Sequence, residues 1–383
     1  MDKICFVTSY AGNSGANHSL VGLCEHLSQK FEVTVIVPSE KGFLPEMLRQ
    51  KKIAYKVIFS FPWTVKIGDK QKRGYHVKKW LKWMVNTFQE KRLSSFLKKK
   101  QINIVHINTF TTGIGSLAAS ENHCKVVWSA REMMDVDINN EWIDEEKAVA
   151  TISKADKIIC VSDAVRQHFS EKLPLSKMSV VYNGIEQPSQ KFSEPFQDSD
   201  ELIFLIAGRI TPKKGQLEII KAFNQFLKIS NRKARLLIVG TTEDSAYRKK
   251  LEKAMAEDNF CESYKIIDYT DNLINLIGSV DVMIISSYFE AYGRVTAEGM
   301  LCGRLVLGNR SGGTIELLAN QRGVFFDIAL IDELVSIFID ITERPSDYQQ
   351  IARNGQSFAL KELNAKKYAE KISQCYQEIV NKE

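Results

Sequence analysis

The sequence predicts an α/β chain of two doubly wound domains, each a parallel sheet covered by helices on both faces. Three observations carry that expectation. The chain has 383 residues, beyond the ~250–300 at which single cores stop growing. Short apolar, β-branched runs alternate with longer segments of helical period, as strands buried between crossover helices do. The alternation also resets once, across the polar, twice-proline stretch "GIEQPSQKFSEPFQDSD" (184–200).

In chain order the first series of expected strands is "KICFVTS", "FEVTVIV", "AYKVIF", "INIVHIN", "CKVVWSA", "KIICVS" and "SVVYN". Helix-like segments such as "ANHSLVGLCEHLSQK" separate several of them. The second series is "LIFLIAGR", "ARLLIVG", "YKIIDY", "DVMIISS", "LVLGN" and "GVFF". The expected division is a first domain over 1–185, a linker over 186–200 and a second domain from 201. The tail from Pro345 to Glu383 reads as helix, and is longer than the second sheet needs for its last cover.

Composition is that of an ordinary globular protein, 44% hydrophobic and 26% charged. No apolar run reaches the ~18 residues of a membrane span. The start, "MDKICFVTSY", lacks the cationic region, apolar stretch and cleavage site of a signal peptide. Seven scattered cysteines form no Cys-x-x-Cys pair, which argues against a zinc site or disulfide framework and for a reducing, intracellular setting. Between Lys66 and Lys100 twelve Lys or Arg face only Asp69 and Glu90. That window exceeds the net +6 of the whole chain, so the remainder is slightly acidic. Such a local patch suggests an anionic partner.

Ligands of open α/β sheets bind beyond the carboxyl ends of the strands, so the loops there are the candidates. After the first strand, Gly12 and Gly15 in "AGNSGANHSL" permit close backbone approach to a ligand beside a helix start. An ordinary glycine turn is the alternative, and the spacing is not the dinucleotide fingerprint. In "LIAGRITPKKGQ", Arg209 and Lys214 flank a short turn closed by Gly215. The arginine fork and the lysine point charge suit a diphosphate; a solvated basic loop is the bland alternative. In "SSYFEAYGRVTAEGM" a helix is expected from Arg294 or Val295, ending at Gly303. Its free N–H groups would favour a phosphate. Glu290 precedes that helix and Glu298 lies a turn inside it. Carboxylates repel phosphate but accept hydrogen bonds from sugar hydroxyls, so the two read as hydroxyl acceptors on either side of an anion site. Structural ion pairs are the alternative. "DVD" (135–137) has the form of a divalent-metal diphosphate motif, but such triplets are common and no metal is expected.

The stretch "FEAYGRVTAE" resembles the Glu–seven residues–Glu motif of the family-4 retaining glycosyltransferases, bacterial polysaccharide enzymes among them. "ADKIICVSDAVRQHF", "VVYNGIE", "AGRITPKKG", "LLIVG" and "SGGTIELL" are similar to further family blocks in the family order. The resemblance covers nearly the whole chain and is weakest over 40–100. It implies the GT-B fold: two facing Rossmann-like domains, the second ending at 363, with a C-terminal helix over 364–383 returning to the first. It implies that Arg209 and Lys214 contact the donor diphosphate, that Glu298 takes the ribose and Glu290 the transferred sugar. Backbone of Tyr292, Gly293, Arg294 and Val295 would complete the phosphate site. Many members carry a His near the reacting sugar, where this chain has Arg131 and Glu132 in "WSAREMMDVD". Those two are expected to shape the sugar or acceptor site, or to pair with each other.

The segment "YHVKKWLKWMVNTFQEKRLSSFLKKK" (75–100) reads as a helix, with Val77, Trp80, Leu81, Met84, Val85 and Phe88 at helical spacing. Lys78, Lys79 and Lys82 interleave with Trp80 and Trp83, the composition of a helix at an anionic membrane surface. The competing expectation is an apolar stripe facing the protein's own core. Nucleic acid is not expected, since no recognition motif accompanies the charge. The expected activity is retaining transfer from a nucleotide-sugar, UDP-linked in the commonest case, to a lipid-linked glycan acceptor. It needs no cofactor and takes place on the cytoplasmic face of the cell membrane. An epimerase of the same fold and a non-catalytic donor- or membrane-binding partner are the alternatives; the sequence leaves sugar, base, linkage and oligomeric state open.

Overall fold

The computed structural model describes residues 2–197 and 201–381. It divides into two compact units, Met1–Glu186 with Asn364–Glu383, and Gln187–Leu363. Residues 198–200 of the expected linker and 382–383 of the expected C-terminal helix lie outside the described residues.

The first unit is built on β1 (Lys3–Val7), β2 (Glu32–Val37), β3 (Ala54–Val57), β4 (Thr64–Lys66), β5 (Ile104–Ile107), β6 (Lys125–Ala130), β7 (Asn140–Trp142), β8 (Lys157–Cys160) and β9 (Met178–Val180). Its main sheet runs β3-β2-β1-β5-β6-β8-β9, every neighbour parallel. These are the seven expected strands. Both faces of that sheet are covered, so its strands read as continuous apolar runs. The antiparallel ribbon β4–β7 was not expected. Its strands are three residues each, too short to show a period.

The second unit carries β10 (Glu201–Ala207), β11 (Lys233–Val239), β12 (Tyr264–Ile267), β13 (Val282–Ile285), β14 (Leu305–Asn309) and β15 (Val324–Phe326). The order is β12-β11-β10-β13-β14-β15, again parallel. Phe204, Phe223, Phe226 and Phe338 form the aromatic centre of its core. In both sheets the order reverses beside the first strand, between β1 and β5 and between β10 and β13. Such switch points open a crevice at the carboxyl ends of the strands.

The described part of the expected linker is strapped to the second unit. Phe196 N–H donates to Asp281 Oδ1 at 2.7 Å, Glu194 pairs with Arg353 at 2.6 Å, and Arg304 donates to the Ser193 carbonyl. The tail is two helices rather than one. Pro345–Glu362 belongs to the second unit, and Ala365–Val380 to the first. Between them Asn364 caps the second helix, its side chain accepting from Lys367 N–H at 2.8 Å, and bridges to Ile185. Tyr368, Ile372 and Tyr376 of that helix lie in the first unit's core.

Candidate active site

The carboxyl ends of β10 and β13 hold a cavity of about 110 Å³. Ile206, Ala207 and Gly208 line it from β10 and its loop, Ser286 and Ser287 from the end of β13. Lys214, Glu290, Gly293, Arg294 and Val295, all expected site residues, line it too. Two loops and one helix start therefore converge at the switch point of the second sheet.

Gly215 lets the loops meet. It has φ +63°, and a Cβ there would run into the Ser286 carbonyl. The contact is held by Ser286 Oγ donating to the Lys214 carbonyl at 2.6 Å and by Tyr288 N–H donating to the Lys213 carbonyl at 3.1 Å. Lys214 is thereby aimed at Glu290: its ammonium donates to Glu290 Oε1 at 2.5 Å, and Ser287 Oγ donates to the same oxygen at 2.6 Å. The pair is about a quarter exposed, so it is reachable from solvent.

The helix Arg294–Leu301 starts at Gly293, in the left-handed region with φ 91°, and no side chain caps it. A helix start without a side-chain cap favours an anionic group. Tyr292 is buried beneath the loop. Glu298 is almost fully buried and accepts from Arg294 Nε at 2.8 Å across one helical turn. Burial raises its pKa, and Arg294 opposes that rise. It does not line the cavity, so a ribose contact would require Arg294 to release it. Arg209 also lies outside the lining; it is exposed, with Nη1 donating to both carboxylate oxygens of Glu243 at 3.2 and 3.3 Å.

Sequence reasoning missed Gln216 and Thr296. Gln216 is fully buried and holds the Arg209 carbonyl through Nε2 at 2.9 Å. Gln216 Oε1 and Thr296 Oγ1 are buried without a hydrogen-bond partner, and both residues line the cavity. Polar atoms in that condition suit a polar occupant. A Gln directly after Gly215, and a Thr at the third position of a phosphate-facing helix, were the available signals.

Gly12 and Gly15 lie in the first unit. The Gly12 carbonyl accepts from Asn17 Nδ2 at 2.8 Å, and a Cβ on Gly12 would collide with the Tyr10 ring. Gly15 opens the helix Gly15–Leu27, capped by Ser14. Arg131 and Glu132 do not pair with each other. Arg131 is buried among neutral acceptors: Asn108 at 2.9 Å, Asn183 at 2.5 Å and Tyr368 Oη at 3.0 Å. Glu132 accepts instead from Thr109 Oγ1 at 2.8 Å. In "DVD", Asp135 pairs with His168 at 3.0 Å and Asp137 accepts from Met133 N–H at 3.2 Å. Among the described residues no group of three His, Cys, Asp or Glu is placed to hold a metal ion.

The basic segment forms one helix, Tyr75–Lys100. Its last turns are anchored: Leu93, Phe96 and Leu97 are buried, and Glu90 accepts from the N–H groups of Gly115 and Ala118 at 2.9 and 3.0 Å. Its first turns are inverted. Val77, Trp80, Leu81, Trp83, Met84 and Phe88 are 41–63% exposed. Asn86, about half a helical turn from Met84 and Phe88, faces the body and bonds both backbone groups of Phe61 at 2.9 Å. Lys79 is 3.8 Å from Asp144, also on the body side. The core-facing expectation for the stripe is therefore overturned. Lys91, Arg92, Lys98 and Lys99 are exposed and continue the outward face beyond Phe88.

Two family models match successive parts of the chain, Glycosyltransferase Family 4 over 13–187 and Glycosyl transferases group 1 over 187–358. The lipopolysaccharide 1,2-N-acetylglucosaminetransferase of Salmonella typhimurium is 27% identical over 57% of this chain and 61% of its own length. The phosphatidylinositol N-acetylglucosaminyltransferase GPI3 subunit of Saccharomyces cerevisiae is 22% identical over 63% of this chain and 56% of its own. The chain thus spans about 60% of the first relative's length and less of the second. Anabaena Alr3699/HepE in complex with UDP superposes with a TM-score of 0.80 at 19% identity, over 98% of this chain and 100% of that one. At that identity the likeness speaks for the fold.

Proposed function

The chain belongs to the family-4 glycosyltransferases of the GT-B fold, and from that membership we propose that it moves a sugar from a UDP-linked donor to a hydroxyl of a lipid-linked glycan, with retention, in bacterial surface polysaccharide assembly. The observation that carries the reading is the cavity where Lys214, Glu290 and the open start of the helix Arg294–Leu301 meet. Lys214 and the helix N-terminus meet the departing diphosphate; Arg209 joins them by swinging from Glu243. Preorganised positive charge at the leaving group is the main catalytic contribution. Glu290 accepts from hydroxyls of the transferred sugar. Displacement by the acceptor on the leaving-group face is the route to retention that asks for no enzymic nucleophile. The solved structures of Alr3699/HepE with UDP and with UDP-glucose support a uridine donor. The Salmonella relative supports a glycan acceptor.

Two finer points belong to the same reading. Metal is not required, because protein cations neutralise the phosphates; transfer that persists in excess chelator is the expected result. The outward apolar turns of the helix Tyr75–Lys100 rest on an anionic membrane surface on the cytoplasmic side, where a lipid-linked acceptor is found. No described helix is long and apolar enough to cross a membrane. A donor panel with nucleotide release as readout tests the whole. Release that rises on adding a glycan acceptor supports transfer, and acceptor-independent conversion of the sugar overturns it in favour of epimerisation.

A further inference from the structure

Beyond β10 the chain keeps a strand neighbour on one side only, and a buried amide supplies the other. Gly208 N–H donates to the Val239 carbonyl and Ile210 N–H to the Thr241 carbonyl, each at 2.9 Å, so this stretch still runs beside the exit of β11. In a parallel pair alternate residues turn their backbone groups to the same neighbour, so Arg209, between these two, turns to the opposite side. That is the side of β13, whose register with β10 ends at Leu205–Met283. Gln216 Nε2 donates to the Arg209 carbonyl there, at 2.9 Å. At the switch point of the second sheet a side chain thus stands in for the strand that has turned away.

The packing around this amide favours an apolar residue. In the helix Gln216–Ile229, Gln216 shares a face with Ile219, Ile220 and Phe223, all fully buried. A glutamine among them costs stability, because its Oε1 is buried without a hydrogen-bond partner. The Arg209 carbonyl can only accept, which commits Nε2 to that bond and leaves Oε1 to the cavity that Gln216 lines. Oε1 likewise can only accept, and a diphosphate at neutral pH brings it no proton. Its route to the phosphates is therefore Nε2, through Arg209. The Arg209 side chain itself is exposed, its guanidinium on Glu243 at 3.2 Å. Its backbone is held from both sides while its head is held only at the surface.

We propose that Gln216 is a positioning residue of the transfer reaction, fixing the Arg209 backbone so that the guanidinium passes from Glu243 to the departing diphosphate by side-chain rotation alone. This role rests on the donor-site reading above and adds to it a residue that acts only through Arg209. A buried polar group kept at a cost to stability is what a site residue, rather than a core residue, leaves in a fold.

A double-mutant cycle on the full chain tests this, read by calorimetry with UDP and by UDP release from UDP-glucose and UDP-N-acetylglucosamine. Gln216→Met, matched in length, is expected to weaken UDP binding and to slow release about tenfold, within the ~10²-fold that a misplaced group costs. In an Arg209→Ala background the same substitution should change neither by more than about twofold, since its route of action is gone. The second unit's dichroism transition in urea should keep the wild-type midpoint, because losing the unpartnered Oε1 offsets losing the bond to Arg209. A merely structural glutamine gives the opposite pattern, a lower midpoint and the same loss with or without Arg209, and either result overturns the role. Gln216→Asn, a methylene shorter, is expected to behave as Gln216→Met does. If neither variant folds, the fold itself requires the glutamine and the role is overturned as well. Where neither donor is turned over, the UDP arm decides. Variants that bind UDP as wild type does overturn the positioning role alone; wild type that fails to bind UDP overturns the donor-site reading and the role with it.

Discussion

Lys214 meets Glu290 at 2.5 Å, so a diphosphate entering this cavity competes with a carboxylate already in place. In the function proposed above, the donor separates the pair, its phosphate taking the ammonium and its sugar hydroxyls taking the carboxylate. Lys214→Ala is expected to lower transfer about a hundredfold, the ~3 kcal/mol of a group that stabilises transition-state charge. Arg209→Ala should act in the same direction, and the fold should survive both changes since Arg209 is exposed and Lys214 partly so. Near-normal kcat in both variants would reject the assignment. The two glutamates are expected to part company. Glu290→Gln should lower transfer and leave the affinity for free UDP nearly unchanged, because in the proposed function it meets only the sugar. Glu298→Gln should weaken UDP and intact donor alike. Calorimetry with both ligands reads the difference; equal loss of UDP binding in the two variants would instead indicate a shared structural role. Lys214, Glu290 and the helix start were legible in the sequence because loop glycines and a strand running out into Ser286 mark the place. Gln216 and Thr296 were not, since only the packing shows that their polar atoms lack partners.

Among the elements, the thirteen strands of the two main sheets were legible as apolar runs, because double burial suppresses alternation. The ribbon β4–β7 was not, and the break at Asn364 entered only through the family resemblance, which puts the C-terminal helix at 364–383. A three-residue strand has no period, and one capping residue hardly interrupts a helical pattern. The basic helix shows the limit most directly. Periodicity tells which residues share a face; it does not tell whether that face looks in or out. Here Trp80, Leu81 and Phe88 look out, and the exposed cations of that face come later, at Lys91, Arg92, Lys98 and Lys99. Replacing Trp80, Leu81 and Phe88 with Ser is therefore expected to abolish sedimentation with phosphatidylglycerol-rich vesicles without lowering the melting temperature. Replacing the four later cations with Ser should weaken binding and flatten its salt dependence, each cation near such a surface adding ~1 kcal/mol. Replacing Lys78, Lys79 and Lys82 should do less, since Lys79 turns toward Asp144. Undiminished sedimentation of the apolar variant would remove the membrane from the reading and leave the enzyme.

For the molecule as a whole, the informative feature is that its last helix is part of its first fold. Tyr376 donates to or accepts from His106 Nδ1 at 2.6 Å, and Ser129 Oγ lies 2.7 Å from His106 Nε2, so the ring is fully buried between the C-terminal helix and the sheet. Burial, with a smaller push from Arg131, lowers its pKa from the ordinary 6.5 to about 3. An unfolded chain takes up this proton near 6.5, whereas the folded one refuses it until about 3. The unfolded state therefore binds more protons in that window, and stability falls as pH drops through it. All five tryptophans, Trp63, Trp80, Trp83, Trp128 and Trp142, belong to the first unit. Their fluorescence thus reports its unfolding alone, while far-ultraviolet dichroism reports both units. Tyr376→Phe leaves a buried ring nitrogen without its partner and should cost the first unit about 1–3 kcal/mol. The urea midpoint read by fluorescence should fall, and the remaining dichroism transition of the second unit should stay in place. His106→Gln, which carries no titrating group, should flatten the fluorescence midpoint's decline between pH 6.5 and 3. An acid limb as steep as that of wild type would show that the contact between the last helix and the sheet is not what acid breaks.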